Sequence, residues 1–206
     1  MFEQFRVLMV CTGNICRSPI AAQVLREGLW DVHELSIRSA GVAALEGDQM
    51  TEQAKAISRH NGGNPIAHVA HRLDADDVRE ADLLLTMTRE QRAAVVRMVP
   101  AASRRVFTLR EFARLEAVVD QRKLDAAVAQ HGDNAMERFA AAVDLVASRR
   151  GFLPLLDNPN EDDVVDPYGR SDATYARSAA QLLPAVESVR ALLRAAVGRA
   201  FVPAGD

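Results

Sequence analysis

Four short apolar runs, separated by stretches with helical periodicity, restrict most strongly what this chain of 206 residues can fold into. The apolar runs lie near residues 5–10, 35–40, 82–87 and 105–109, and the helical patterns lie near 18–30, 50–61 and 89–99. Strands that alternate with helices pair in parallel, and a parallel sheet needs helices on both of its faces. The sequence therefore predicts an α/β fold, with a four-stranded parallel sheet as the middle layer of a three-layer α/β/α arrangement.

The second half of the chain is predicted to be largely helical. Residues 110–150 carry apolar stripes at helical spacing, which indicate packing helices or, as the alternative, a lid or dimer contact. Residues 151–172 are rich in Pro, Asn, Asp and Gly and should form a loop. A final helix comes after this loop, and Pro184 should kink or restart it. The length fits a single domain over residues 1–206.

The charge balance and the cysteine content exclude several classes of function. A formal net charge of −3, with scattered Lys and Arg residues, lacks the basic footprint of a nucleic-acid-binding protein. No apolar run is long enough for membrane insertion. The two cysteines, Cys11 and Cys16, are too few for a disulfide scaffold or a four-ligand zinc site. We therefore expect a cytoplasmic protein that acts on a small polar or charged group and uses its thiols for chemistry.

The stretch CTGNICRS, residues 11–18, lies between the first predicted strand and the first predicted helix. A turn in this position presents backbone N–H groups to a common centre, and the helix N-terminus adds partial positive charge. Gly13 permits backbone conformations that other residues resist, Asn14 can hydrogen-bond the loop to itself, and Arg17 offers a planar fork for two phosphate oxygens. The stretch therefore predicts a loop that binds a phosphoryl group.

Cys11 lies at the bottom of this loop, where the donors that hold phosphate also stabilise a thiolate that can attack phosphorus. Ser18 can donate its hydroxyl to that sulfur, and a helix N-cap is its alternative role. The leaving oxygen then needs a proton. In EDDVVDPYG (161–169) only Asp166 precedes a proline, which favours an ordered turn, whereas the acids at 161–163 are expected to form a solvated run.

The full run VCTGNICRSPIA (10–21) resembles the signature of the low-molecular-weight protein tyrosine phosphatases, and it lies directly after the first strand, where that family carries it. Three further segments resemble the family's second strand, its histidine element and its third strand; these are IRSAGV (37–42), HVAH (68–71, with His71 in place of an arginine) and ADLLLTM (81–87). The resemblance implies a phosphatase I-like fold, a phosphocysteine intermediate, and no metal or cofactor. The helices at about 110–150 would be an insertion that compact members lack.

The same resemblance assigns the main catalytic roles. It implies Cys11 as the nucleophile, Arg17 as the phosphate clamp, and Asp166 in DPYG as the general acid and base. The loop that binds the phosphate would consist of Thr12, Gly13, Asn14, Ile15, Cys16, Arg17 and Ser18.

The resemblance also implies supporting roles. His68 would order the loop by touching its asparagine, with an ordinary structural histidine as the alternative. Leu45 and Tyr168 would line the substrate crevice. Cys16 would form a reversible disulfide with Cys11, as in relatives that carry both thiols; a small packing residue is the alternative.

Ile15 favours phosphotyrosine as the substrate. Protein arginine phosphatases carry threonine before the second cysteine, whereas the apolar Ile15 suits an aromatic ring. Arsenate reductases of the same fold either need further cysteines or lack GNICRSP, and a silent phosphate-binding module would need neither a nucleophile nor an acid. The segment SAGVAALEGDQ (39–49) resembles the bacterial branch of the family, which implies the phosphotyrosine tail of a bacterial tyrosine kinase as partner and substrate.

Overall fold

The sheet brings the carboxyl ends of its strands to one edge. The computed structural model describes residues 4–198. Its strands are β1 (Phe5–Cys11), β2 (Leu35–Gly41), β3 (Leu83–Thr86) and β4 (Val106–Thr108), in the order β2-β1-β3-β4. The paired strands are parallel, with Cys11 opposite Gly41 and Val10 opposite Thr86. Cys11 therefore ends a central strand, at the edge where open α/β sheets bind their ligands.

Helices connect the strands and continue the chain after the sheet. They are α1 (Arg17–Gly28), α2 (Glu52–His60), α3 (Ala75–Glu80), α4 (Arg89–Met98), α5 (Leu109–Glu116), α6 (Gln121–Ala129), α7 (Ala135–Ala147) and α8 (Asp172–Ala196), with 3₁₀ turns at Pro100–Arg104 and Pro159–Asp162. Thr51, Thr88 and Thr108 start α2, α4 and α5 as N-caps, because each side chain accepts a hydrogen bond from the third helical N–H group. Helix α3 was not predicted because it is too short to show a period; a capping box between Asp74 and Asp77 starts it.

The side chains of β1 alternate between two apolar clusters, one on each face of the sheet. Val7 and Met9 are buried in a large cluster that includes residues of α1 and α8. Leu8 and Val10 are buried in a smaller cluster with residues of α3 and α4. Successive side chains of a strand point to opposite faces, so both faces are covered. The predicted three-layer α/β/α arrangement is confirmed.

The helical stretch after β4 packs onto the larger of these clusters. Helices α5 to α7 confirm the predicted helical character of residues 110–150. Phe112 and Phe139 are fully buried in the same cluster as β1. The Phe139 ring lies 5.4 Å from the ring of Phe5, at the end of β1 opposite Cys11. This placement favours the packing interpretation over a lid.

Helix α8 runs without interruption through Pro184, so the expected restart is wrong. Proline removes one backbone donor, and Pro184 itself is exposed, so its ring stays outside the core. Leu182 and Val186 are buried on either side and hold both halves of the helix against the large cluster. Of the helices within residues 4–198, none combines the length and apolar character needed to cross a membrane.

Arg194 fastens α8 to the end of α1. Its buried guanidinium donates to the carboxylate of Asp31 at 2.8 and 3.2 Å. It also donates twice to the carbonyl oxygen of Gly28, at 2.7 and 3.2 Å. Gly28 is the last residue of α1, where helix carbonyls have no intrahelical partner. The Arg194 side chain thus supplies hydrogen-bond donors both to a carboxylate and to the last carbonyl of a helix.

Replacement of Arg194 by leucine should destabilise the fold, because the carboxylate of Asp31 and the carbonyl of Gly28 would lose the four hydrogen bonds that Arg194 donates at a largely buried position. We expect the free energy of unfolding to fall by about 2 kcal/mol in urea denaturation. Arg177→Leu, at an exposed position of the same helix, is the matched control and should change it by less than about 0.5 kcal/mol. Equal stability of wild type and Arg194→Leu would contradict this account.

Candidate active site

The loop between β1 and α1 turns its carbonyl groups away from the Cys11 sulfur. The carbonyl oxygens of Cys11, Thr12, Gly13 and Ile15 accept hydrogen bonds from the backbone N–H groups of Val42, Ala43, Leu45 and Thr51, at 3.0, 3.0, 3.1 and 3.1 Å. With its carbonyls engaged outward, the loop presents N–H groups inward. The N–H of Asn14 lies 3.3 Å from the Cys11 sulfur. The loop therefore has the polarity of an anion-binding cradle.

Asn14 fixes the conformation of this loop. It is fully buried and lies in the left-handed region, with a φ of 57°. Its side-chain NH2 group donates to the hydroxyls of Ser18 and Ser39 at 3.0 Å each. Its amide oxygen accepts the backbone N–H of His71 at 2.9 Å. These three bonds offset the cost of the left-handed conformation, about 1 kcal/mol for a residue with a side chain.

The unusual backbone conformation predicted for Gly13 occurs one residue later, at Asn14. The φ of Gly13 is not positive, and a Cβ added there would come no closer than 3.5 Å to Ile15. Gly41, at the end of β2, is the glycine that the loop requires. A Cβ on Gly41 would lie 2.5 Å from the carbonyl oxygen of Thr12. The loop therefore packs against β2 more closely than any side chain at Gly41 would allow.

The Cys11 sulfur is buried and faces two hydrogen-bond donors. The hydroxyl of Ser18 donates from 3.0 Å and the backbone N–H of Asn14 from 3.3 Å. The Ser18 oxygen accepts a hydrogen bond from the Asn14 side chain, and its own hydrogen has two acceptors, the Cys11 sulfur at 3.0 Å and the Ala40 carbonyl at 3.4 Å. Donors aimed at sulfur near a helix N-terminus can stabilise the negative charge on a sulfur that departs from phosphorus. This environment suits a cysteine that attacks phosphorus.

Arg17, the first residue of α1, brings a buried guanidinium to the same place. Its Nη2 lies 2.6 Å from Oδ2 of Asp166, and its Nη1 donates to the carbonyl of Val164 at 3.1 Å. Its Nε is buried and has no hydrogen-bond partner within residues 4–198. A buried donor without an acceptor costs about 1–3 kcal/mol. This N–H group is therefore suited to donate to an oxygen of a bound phosphoryl group.

Asp166 and Tyr168 reach the site from the loop before α8. The Asp166 carboxylate accepts the backbone N–H of Tyr168 at 3.2 Å and pairs with Arg17. Its side chain is 53% exposed, so both solvent and a substrate reach it. The cavity encloses about 140 Å³ and is also lined by Cys11, Ile15 and Leu45. The structure thus brings the predicted nucleophile, clamp, acid and both crevice residues to one cavity.

His68 lies against the back of the loop. Its Nε2 is 2.7 Å from the carbonyl oxygen of Asn14. A carbonyl only accepts hydrogen bonds, so Nε2 carries the hydrogen. Burial lowers the pKa of His68, and the ring is therefore neutral near pH 7, with its tautomer set by this bond. The contact with the loop asparagine is the one that the family resemblance implies.

Cys16 is also buried, but its surroundings differ from those of Cys11. Its sulfur lies 3.5 Å from the hydroxyl of Thr51 and 3.6 Å from the hydroxyl of Tyr175. Burial raises the pKa of the Cys16 thiol, and it raises the pKa of Tyr175 to about 12. The cluster is therefore uncharged near pH 7. Both cysteines are free thiols, and a disulfide between them stays a prediction.

Several residues that support the site were not found from the sequence. Gln91 donates to the Thr12 hydroxyl at 3.0 Å, and the carbonyl of Val164 accepts from Arg17. No local sequence pattern indicates either contact, because each joins segments that lie far apart in the chain. Ser39 and Gly41 do lie in the recognised segment IRSAGV. Only the loop's own geometry shows why those two residue types are needed.

The expected solvated run of acids at 161–163 is wrong for two of its three members. Glu161 is exposed. Asp162 pairs with Arg114 at 3.0 Å, and Asp163 pairs with Arg89 at 3.1 Å. These two carboxylates are only 15% and 24% exposed. Arginines from distant helices therefore fix the chain just before Asp166.

Comparison with known proteins places the chain among phosphatases. The family model for low molecular weight phosphotyrosine protein phosphatase matches residues 6–150. Over 141 residues the chain is 31% identical to the probable low molecular weight protein-tyrosine-phosphatase AmsI of Erwinia amylovora, covering 66% of this chain and 96% of that protein. Over 108 residues it is 35% identical to a protein-arginine-phosphatase of Geobacillus stearothermophilus, covering 52% of this chain and 71% of that protein.

The fold agrees with the sequence comparison. The crystal structure of the tyrosine phosphatase Wzb from Escherichia coli K30, in complex with sulphate, matches with a TM-score of 0.61 and 24% identity, over 93% of this chain and 98% of that one. This likeness confirms the predicted phosphatase fold. Because the family model spans more than half of the chain and includes the loop from Cys11 to Ser18, the chain belongs to the low-molecular-weight phosphotyrosine protein phosphatase family and is a phosphatase.

Proposed function

We propose that this phosphatase hydrolyses phosphotyrosine in proteins through a phosphocysteine intermediate on Cys11. One observation carries the proposal: a buried sulfur with two donors, a buried arginine whose Nε–H has no acceptor among residues 4–198, and an exposed carboxylate meet at one cavity. Binding alone would need neither the sulfur nor the carboxylate. The arrangement supports nucleophilic catalysis with a general acid.

In the first step the loop N–H groups and Arg17 bind the phosphoryl oxygens, and the Cys11 thiolate attacks phosphorus. The sulfur–phosphorus bond forms as the bond from phosphorus to the tyrosine oxygen breaks. Asp166, in its protonated form, gives its proton to the departing phenolate. The bound phosphoryl group competes with the Asp166 carboxyl for Arg17, which leaves the carboxyl beside the leaving oxygen.

In the second step water hydrolyses the phosphocysteine. The Asp166 carboxylate, now without its proton, takes one from the attacking water, and the new oxygen–phosphorus bond replaces the bond to sulfur. Inorganic phosphate and the Cys11 thiolate are the products. The Ser18 hydroxyl and the Asn14 N–H stabilise the departing sulfur, since both already donate to it. Each residue is thereby returned to its starting state.

The walls of the cavity support an aromatic substrate. Ile15, Leu45 and Tyr168 line it with apolar and aromatic surface above the phosphate loop. Such surface favours a phenyl ring over a guanidinium, whose N–H groups need acceptors. The bacterial character of segment 39–49 extends the proposal to the phosphotyrosine tail of a bacterial tyrosine kinase. Two free thiols are consistent with action in the reducing cytoplasm.

Phosphoarginine is the second candidate substrate. The similarity to the protein-arginine-phosphatase of Geobacillus stearothermophilus supports it, at 35% identity. The same loop and acid would serve either reaction, because the phosphoryl group is common to both. Ile15 is the residue at the cavity that separates the two candidates.

Cys11→Ser should remove turnover of a phosphotyrosine peptide, by at least about 10³-fold in kcat/KM, because a neutral hydroxyl is a poor nucleophile here. Asp166→Asn should lower kcat by about 10²-fold. The loss should be smaller with p-nitrophenyl phosphate, whose leaving group needs less protonation. Glu161→Gln, at an exposed acid of the same loop, is the control and should keep wild-type rates. A folded Cys11→Ser variant with normal turnover would refute the mechanism.

Substrate choice should depend on Ile15. We expect wild type to have the higher kcat/KM for a phosphotyrosine peptide than for the matching phosphoarginine peptide. Ile15→Thr should shift this ratio toward phosphoarginine by about 10-fold, because it removes apolar surface and adds a hydroxyl acceptor. Ile15→Val, which keeps the apolar branched side chain, is the matched control. A wild type that prefers phosphoarginine would establish the second candidate instead.

A further inference from the structure

We propose that three arginines, Arg89, Arg110 and Arg114, are positioning residues that hold Asp166 in place through the loop that carries it. The proposal rests on the proposed role of Asp166 as the general acid. It gives helix α5, at the start of the helical stretch after β4, a part in catalysis. Arg89, Arg110 and Arg114 do not line the catalytic cavity, so they act through the loop and not on the substrate.

Arg89 makes the most extensive contact with this loop. Its Nε and Nη2 donate to the two oxygens of the Asp163 carboxylate, at 3.3 and 3.1 Å. Its backbone N–H donates to Asp163 as well, at 2.8 Å, from the first turn of α4. The same Nη2 reaches the side chain of Asn160 at 2.6 Å. A carboxylate held by a bidentate arginine and a helix N-terminus has little freedom to move.

Helix α5 binds the neighbouring residues of the loop. Arg114 donates from Nε and Nη2 to the two oxygens of Asp162, at 3.3 and 3.0 Å. Arg110 donates to the backbone carbonyl of Asp163 at 3.0 Å. The loop is thus fixed by two consecutive side chains and by one backbone carbonyl. Isolated ion pairs on the surface contribute little to stability. These pairs differ from them, because they are bidentate, belong to a network and have largely buried carboxylates.

The fixed residues lead directly to the catalytic groups. Val164 is buried, its N–H donates to the carbonyl of Met87 at 2.8 Å, and its own carbonyl accepts from Arg17. Asp166 comes two residues later. Three residues of extended chain span about 10 Å at most, so a displaced Asp163 displaces Asp166. A shift of about 1 Å in a reacting group is enough to slow catalysis by as much as about 10²-fold.

The arginine contacts are the first tight attachment of the loop, ahead of the N–H groups of Val164 and Val165, which donate to Met87 and to the side chain of Gln181. Residues 151–158 before it are all exposed or partly exposed, and the apolar Phe152 and Leu155 are 78% and 96% exposed. The Asp166 side chain itself is 53% exposed and contacts only Tyr168 and Arg17 among the hydrogen bonds and ion pairs of residues 4–198. When phosphate takes the Arg17 contact, the arginines at 89, 110 and 114 keep the acid near the leaving oxygen, together with the backbone bonds of Val164 and Val165.

The test compares substrates with good and poor leaving groups. Protonation by Asp166 matters more for a phosphotyrosine peptide than for p-nitrophenyl phosphate. Arg89→Leu and Arg114→Leu should therefore lower kcat by about 10-fold on the peptide and by clearly less on p-nitrophenyl phosphate, with KM within about 2-fold for both. Arg97→Leu, at an exposed position of α4, is the matched control and should change neither rate.

Two further variants exclude a general loss of structure. The first is the double variant Arg114→Asp/Asp162→Arg, in which the two charges of the ion pair are exchanged. It should recover most of the kcat that the single variant Arg114→Asp loses. When Asp166 is already replaced by Asn, Arg89→Leu should lower kcat by the same factor on both substrates or not at all. The carboxyl that Arg89 positions is then absent, so the leaving group no longer matters. If Arg89→Leu fails to fold, Arg89→Lys keeps the charge but not the bidentate contact, and should show the same selective loss more weakly.

The outcomes separate this proposal from the one on which it rests. If Asp166→Asn shows no dependence on the leaving group, the role of Asp166 is wrong and both proposals fall. If Asp166→Asn shows the dependence but the folded arginine variants lose activity equally on both substrates, or lose none, the arginines are ordinary structural residues. If their losses remain undiminished in the Asp166→Asn background, they act on something other than the acid, and the proposal is overturned.

Discussion

The site depends on the hydrogen bonds of one buried amide, the side chain of Asn14. Its three bonds to Ser18, Ser39 and His71 hold a left-handed residue in the middle of the loop. That turn directs the Asn14 N–H to the Cys11 sulfur and orients the Ser18 hydroxyl toward it. This turn acts together with the backbone bonds that engage the loop carbonyls on the outside. The proposed nucleophile and the proposed phosphate site therefore both depend on one local conformation.

Asp166, the proposed acid, is positioned differently from Cys11 and Arg17. Cys11 and Arg17 are placed by regular structure, at the end of a strand and the start of a helix. Asp166 lies about 150 residues further along the chain, in an irregular loop whose position depends on ion pairs with α4 and α5. In the proposed mechanism the rigid half of the site binds the phosphoryl group, and the loop held by ion pairs delivers the proton. The need to position Asp166 explains why the partly buried ion pairs of Asp162 and Asp163 hold a loop segment that does not itself contact the substrate.

Elements with a clear local pattern are predicted well from the sequence. The four strands and the first helices have clear periodicity and end within about two residues of their predicted bounds. The proposed nucleophile and phosphate clamp lie in one motif, and the proposed acid precedes a proline. The features that were missed come from tertiary contact: the close approach that requires Gly41, the carbonyl of Val164 on Arg17, and the arginines that cover Asp163. Sequence pattern favours Gly13 as the left-handed residue because glycine is the usual choice, whereas the surrounding bonds allow Asn14.

The central claim is that phosphate passes through the Cys11 sulfur. It is tested most directly by mixing the enzyme with a ³²P-labelled phosphotyrosine peptide, stopping the reaction with acid within milliseconds, and locating the label in the digested protein. The account predicts a transient label on the fragment that contains Cys11, with a thiophosphate linkage, which rises with the released tyrosine and decays as phosphate appears. Turnover with no labelled protein at any time, or a label on another residue, would contradict it.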